Sequence, residues 1–231
     1  MREIYDLLFV KGGPTMYATV LVSVIALAIF LERLWFLQRR RIIPPGFSRL
    51  LRRLVVEGRV NEAQAITAEN ASTVAAIVGA GVHAYGKPRE IIKEKMEDAG
   101  SQEIANLERY MNTLSTIGGI ATLLGLFGTV LGMINVFQRV SESVGLDLEE
   151  RTRLLSSGIY EVLINTAGGL FVAICAIIAH TYLANRINGL VVDLEAETKE
   201  FVDLLEGGPD GEPALAAAAL APAAAIDTKK R

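Results

Sequence analysis

The chain has 231 residues, 51% of them hydrophobic, and carries 23 Lys and Arg against 26 Asp and Glu, a net charge of −3 at pH 7. Length alone allows one or two compact domains. The placement of charge excludes an ordinary soluble domain: residues 12–31, 110–138 and 162–179, windows of 20, 29 and 18 residues, contain no Asp, Glu, Lys or Arg.

A helix crossing a bilayer core of roughly 30 Å needs about 20 apolar residues, and each window reaches or approaches that length. The expected fold is an all-α membrane protein with three transmembrane helices, the second and third extended into a helical cytoplasmic domain. Residues 1–14 read as a periplasmic N-terminal segment. Ala26, Leu27 and Ala28 loosely imitate a signal-peptide cleavage site, but Arg2 and Lys11 are balanced by Glu3 and Asp6 and the apolar run is too long, so residues 15–37 are read as a retained first crossing. Arg39, Arg40, Arg41, Arg49, Arg52 and Arg53 follow it with no acidic residue among them. By the positive-inside bias they hold residues 38–109 in the cytoplasm and leave the N-terminus outside.

That cytoplasmic segment reads as helix throughout. Pro44, Pro45 and Gly46 end the first helix, and Leu50, Leu51, Leu54 and Val55 have helical spacing. Gly58 with Asn61 marks a turn. Residues 70–86 also lack charge, but they are short and only moderately apolar, which fits a buried soluble helix. Pro88 suits the first turn of a helix whose apolar face, Ile91, Ile92, Met96, Ala99, Ile104, Leu107, Met111 and Leu114, continues directly into the second crossing at 110–138. A periplasmic loop at 139–156 leads to a third crossing at 157–185, a cytoplasmic helix extension at 186–205 and a tail at 206–231. The tail is rich in Ala, Pro and Gly and is expected to be disordered.

The second crossing carries Ser115, Gly118, Thr122, Gly125, Thr129 and Gly132 at steps of three and four, so small or hydroxylated residues share one face. The third carries Gly158, Glu161, Asn165, Gly168, Val172, Cys175 and Ala179, beside a line of Thr166, Gly169, Ala173, Ala176 and His180. Small side chains let membrane helices approach closely where lipid offers no hydrophobic drive, so Gly118, Gly125, Gly128, Gly132, Gly158 and Gly168 are read as packing positions. For Thr122 and Thr129 the plain alternative is a hydroxyl bonded to its own i−4 carbonyl. The breadth of the non-greasy face suggests several helices around a shared polar axis.

Glu161 is the one acidic residue near the membrane interior. An ionised carboxylate at a helix centre costs about 2.5–3.5 kcal/mol on insertion scales, so a carboxyl at this depth has a functional reason or a partner, unless it reaches the headgroup zone. His180 reads as an inner-interface residue and His83 as a soluble surface or core residue, neither with a second metal ligand nearby. Cys175 is the only cysteine, so a disulfide within the chain is excluded. No zinc spacing, phosphate loop or nucleophile motif is present, and neither a cofactor nor an enzymatic reaction is expected.

Three runs carry a resemblance: LERLWFL at 31–37, GLFGTVLGM at 125–133 and GIYEVLINTAGGL at 158–170. They are similar to the TolQ/ExbB branch of the MotA/TolQ/ExbB proton-channel family, in the right order across all three crossings. The resemblance implies a bacterial inner-membrane subunit that forms a homopentamer around a dimer of an ExbD/TolR-like single-crossing partner, with a TonB/TolA-like energy transducer beyond it. Nucleic acid is not an expected partner. It further implies that Thr129, Glu161 and Thr166 line the proton pathway, with H+ as the transported ion and Na+ left open. Where the family commonly has proline, this chain has Thr122 and Cys175, which should straighten both helices. The expected function is therefore the channel-forming subunit of a proton-driven motor. The alternative is a passive helical scaffold in which the stripes only pack helices and no ion passes.

Overall fold

The structure, a computed structural model, describes residues 13–142, 145 and 147–206. Residues 1–12 of the N-terminal segment and 207–231 of the tail lie outside the described residues. Eight helices are described: α1 (Gly13–Phe36), α2 (Arg39–Ile42), α3 (Phe47–Val56), α4 (Val60–Glu69), α5 (Thr73–His83), α6 (Arg89–Leu107), α7 (Met111–Glu142) and α8 (Leu148–Glu206). No strand occurs among the described residues. Three helical stretches, Thr15–Phe36, Arg89–Glu142 and Leu148–Leu205, are long and apolar enough to cross a membrane. At 1.5 Å per residue, the 24 residues of α1 extend about 36 Å and the 32 of α7 about 48 Å.

The described residues divide into two compact units, one within 13–36 and 108–186, the other within 37–107 and 187–206. In the first unit α1, α7 and the 148–186 part of α8 bury small residues together with a few leucines and leave many large aliphatic side chains outside. Leu21, Leu123, Leu163 and Ile178 are all at least 60% exposed. Their outward aliphatic surface suits lipid or further helices, because a soluble monomer rarely leaves so much apolar area uncovered. The interior is built instead from Ala121, Leu114, Ala173, Ala176 and Leu183.

In the second unit the arginine-rich α3 buries Phe47, Leu51, Leu54 and Val55 and leaves Arg49 and Arg53 outside, as helical spacing requires. Ser72 caps α5 by accepting from the Ala75 amide at 3.3 Å. Within residues 70–86 the helix is Thr73–His83, 11 residues buried at Val74, Ile77, Val78 and Val82. Gly81 has no room for a side chain because Met96 and Leu205 occupy that space. Ion pairs Arg39–Asp193 (3.1 Å), Arg52–Glu200 (2.6 Å) and Arg89–Asp203 (3.0 Å) edge this core. At the α3–α4 turn, hydrogen bonds from Arg59 to Glu62, reinforced by Glu57, raise the Arg59 guanidinium above its ordinary range.

One expectation is modified. The apolar face of α6 does not pass into α7 as one helix: α6 stops at Leu107, and Tyr110 takes φ +66° before α7 begins at Met111. A tyrosine in the left-handed region costs about 1–3 kcal/mol. The guanidinium groups of Arg33 and Arg109 each lie 4.9 Å from the Tyr110 ring centroid, and Arg33 also stacks on Phe36 at 5.1 Å. Cation–π contacts contribute about 0.5–2 kcal/mol each, enough to offset the backbone cost.

Candidate functional site

Helices α7 and α8 run antiparallel with matched steps. Gly118 faces Ala173 and Ile177, Gly125 faces Thr166 and Gly169, Gly132 faces Val162, and Gly158 faces Val136. Each advance along α7 meets an equal retreat along α8, so the small-residue stripes are one seam. Its tightest point is Gly125 against Gly169. A Cβ on Gly169 would stand 2.7 Å from Gly125 Cα and 2.8 Å from the Ala121 carbonyl oxygen, where only backbone could yield. Gly132 and Gly158 are each filled by a valine, Gly128 by Asn165, and Gly168 by the more adaptable end of Met16. Gly118 is different: its nearest neighbour would be 3.4 Å away, an ordinary contact.

Beside the Gly125–Gly169 contact, the hydroxyls of Thr129 and Thr166 meet across the seam. Thr129 Oγ1 also lies 3.1 Å from the Gly125 carbonyl oxygen, and Thr166 Oγ1 lies 3.4 Å from that same oxygen and 3.3 Å from that of Val162. Two hydroxyls own two protons, so they can serve only two of these four contacts at once. The pair can therefore reverse its hydrogen-bond direction without moving a heavy atom. Thr122 makes no such cross-helix contact; its hydroxyl bonds the Gly118 carbonyl of its own helix at 3.2 Å.

Glu161 stands on α8 immediately before Val162, one turn from both Gly158 and Asn165. It is half-buried and makes no hydrogen bond or ion pair among the described residues. The geometry thus gathers Thr129 with Thr166, places Glu161 about a turn and a half away along the same helix, and ranks the six packing glycines from backbone contact to loose fit. His180 is half-buried, His83 and Cys175 are exposed, and no group of three His, Cys, Asp or Glu side chains could hold a metal among the described residues.

Two participants carry little sequence signal. Gly169 is the partner of the closest helix contact, yet nothing in its spacing sets it apart from its looser neighbours. Thr15 of α1 accepts a hydrogen bond from Asn165 Nδ2 at 2.6 Å across 150 residues of chain. No local pattern announces a bond of that separation.

Comparison with known proteins places this seam in context. The profile described as the MotA/TolQ/ExbB proton channel family matches residues 64–196, which include Thr129, Glu161, Asn165 and Thr166 but not α1. ExbB-like 1 of Synechocystis, named for biopolymer transport, is 35% identical over 181 residues, covering 77% of this chain and 69% of that protein. The Tol-Pal system protein TolQ of Haemophilus influenzae is 36% identical over 121 residues, 51% of each chain. The biopolymer transport protein ExbB of Neisseria gonorrhoeae is 31% identical over 107 residues, 46% of this chain and 47% of that one. The matched region therefore spans about half the length of these TolQ and ExbB relatives.

Proposed function

Because the chain belongs to the MotA/TolQ/ExbB proton channel family, we propose that it is the channel-forming subunit of a proton-driven motor in a bacterial inner membrane. The observation that carries this reading is Glu161: a carboxyl without a partner among the described residues, set in a long apolar helix about a turn and a half from the Thr129–Thr166 hydroxyl pair. A carboxyl held at such a place is costly unless polar neighbours or water in an assembled complex solvate it. Several copies turning the α7–α8 face inward would provide such a lining.

In this reading the subunit forms a pentamer, with its N-terminus periplasmic and its C-terminus cytoplasmic, around two copies of an ExbD/TolR-like single-crossing protein. Protons move past the Glu161 side chain and the reversible hydroxyl pair as the partner turns or shifts, and a TonB/TolA-like protein passes the work outward. The chain makes and breaks no covalent bond, and the transported ion in this reading is H+, the ion in the family's description. Support comes from the family membership, the three apolar helices and the shared polar seam. The composition is tested by copurifying the full chain with the single-crossing protein encoded beside it and weighing the intact complex. A mass of five copies plus two partners is expected. A stable assembly that never retains such a partner contradicts the motor and favours a passive scaffold.

A further inference from the structure

Asn165 is one of the few buried polar side chains of the first unit, 3% exposed, and the proton-path reading gives it no task. Its Nδ2 donates to Thr15 Oγ1 at 2.6 Å, while its Oδ1 has no hydrogen-bond partner among the described residues. Turning the amide over would let the Thr15 hydroxyl donate to the oxygen and would leave the amide N–H groups bare instead. The amide fills the space that a Cβ on Gly128 would take, so α1 and α8 can bond there only because α7 offers no side chain.

A half-satisfied amide is a poor source of stability. One hydrogen bond between membrane helices contributes less than an unpaired buried carbonyl costs. Lone buried polar groups are better suited to selecting one register among packings that apolar side chains would leave nearly equivalent. The next residue along α8 is Thr166. Consecutive helical residues point about 100° apart, so fixing Asn165 on α1 across Gly128 also fixes where the Thr166 hydroxyl points. That hydroxyl faces Thr129 and the Gly125 carbonyl.

We propose that Asn165 is a positioning residue: its bond to Thr15 across Gly128 sets the rotation of α8 that brings the Thr166 hydroxyl to Thr129. The inference rests on the proton-path reading of that hydroxyl pair. It adds α1, which lies outside the matched family region, as a determinant of the path.

The test uses the full chain in complex with its single-crossing partner and compares Thr15→Val with Asn165→Leu, singly and together, and Thr15→Ser as the conservative variant. Three quantities are read: thermal stability of the complex, proton flux in proteoliposomes, and disulfide yield between Thr129→Cys and Thr166→Cys in a Cys175→Ser background. The double apolar variant should assemble with unchanged stability. Its flux should fall about tenfold or more, as displaced reacting groups commonly cause, and the cysteine pair should cross-link severalfold less. Thr15→Ser should preserve both readouts. Unchanged flux and cross-linking in the double variant would overturn the inference. So would failed assembly, or a loss of flux that merely follows a loss of stability. Glu161→Gln run alongside separates the two claims: full flux in that variant sinks the proton-path reading, while the cross-linking yield still decides whether Asn165 orients Thr166.

Discussion

Adding one methyl group at Gly169 and, separately, at Gly118 distinguishes a seam built on backbone contact from general helix packing. At Gly169 the new Cβ would lie 2.7 Å from Gly125 Cα, 2.8 Å from the Ala121 carbonyl oxygen and 2.9 Å from the Gly125 nitrogen. Restoring an ordinary contact of 3.4–4 Å requires α7 and α8 to separate by about 1 Å, since no side chain can move aside. Overpacking of this kind costs about 1–3 kcal/mol, against a gain of at most about 1 kcal/mol from helix propensity. The same separation draws the Thr129 and Thr166 hydroxyls apart. At Gly118 the nearest atom, Ile177 Cγ1, is already at 3.4 Å, so the propensity gain is uncancelled. Gly169→Ala should therefore lower the melting temperature of the purified complex by several degrees and reduce proton flux, whereas Gly118→Ala should leave both intact or raise the melting temperature. Equal behaviour of the two variants would refute the register and the backbone contact together.

Hydroxyl placement separates two threonines that look alike in the stripe: Thr129→Val should cut proton flux because it removes the cross-seam contact, while Thr122→Val, which loses only a bond to its own helix, should not, as a flux assay on matched amounts of complex would show. Gly128→Ala should break the Thr15–Asn165 bond, because its Cβ and the Asn165 amide cannot share the space, and fluorescence-monitored unfolding should register a loss of about 1–3 kcal/mol. At the α6–α7 break, Arg33→Leu removes the guanidinium from both the Phe36 and Tyr110 rings and should destabilise the complex by about 1–2 kcal/mol in the same assay. In the second unit, Arg52→Ala and Arg89→Ala each delete a solvent-exposed ion pair and should each cost under about 1 kcal/mol, with the difference from the natural chain shrinking as salt is added.

Much of the fold is legible because membrane crossing imposes a coarse rule. Residues 162–179 are legible as part of a crossing from the absence of charge there. The seam is legible as a face, because Gly125, Thr129 and Gly132 recur at helical spacing. Its energetics are not, because Gly118 and Gly125 look alike in sequence and differ only in what lies opposite. The break at Tyr110 is hidden for a related reason: apolar spacing runs unbroken from Leu107 to Leu114, and the stacking that stabilises the turn comes from Arg33, far away in the chain. Thr15 is the extreme case, an unremarked residue at the start of α1 whose importance rests wholly on Asn165.

The central claim concerns a carboxyl, and proton flux tests it most directly. Liposomes carrying the purified complex, a pH gradient and an entrapped pH-sensitive dye should lose the gradient rapidly with the natural chain. They should retain it with Glu161→Gln, provided that variant assembles with its partner to the same extent. Equal rates from the two assemblies would contradict the account.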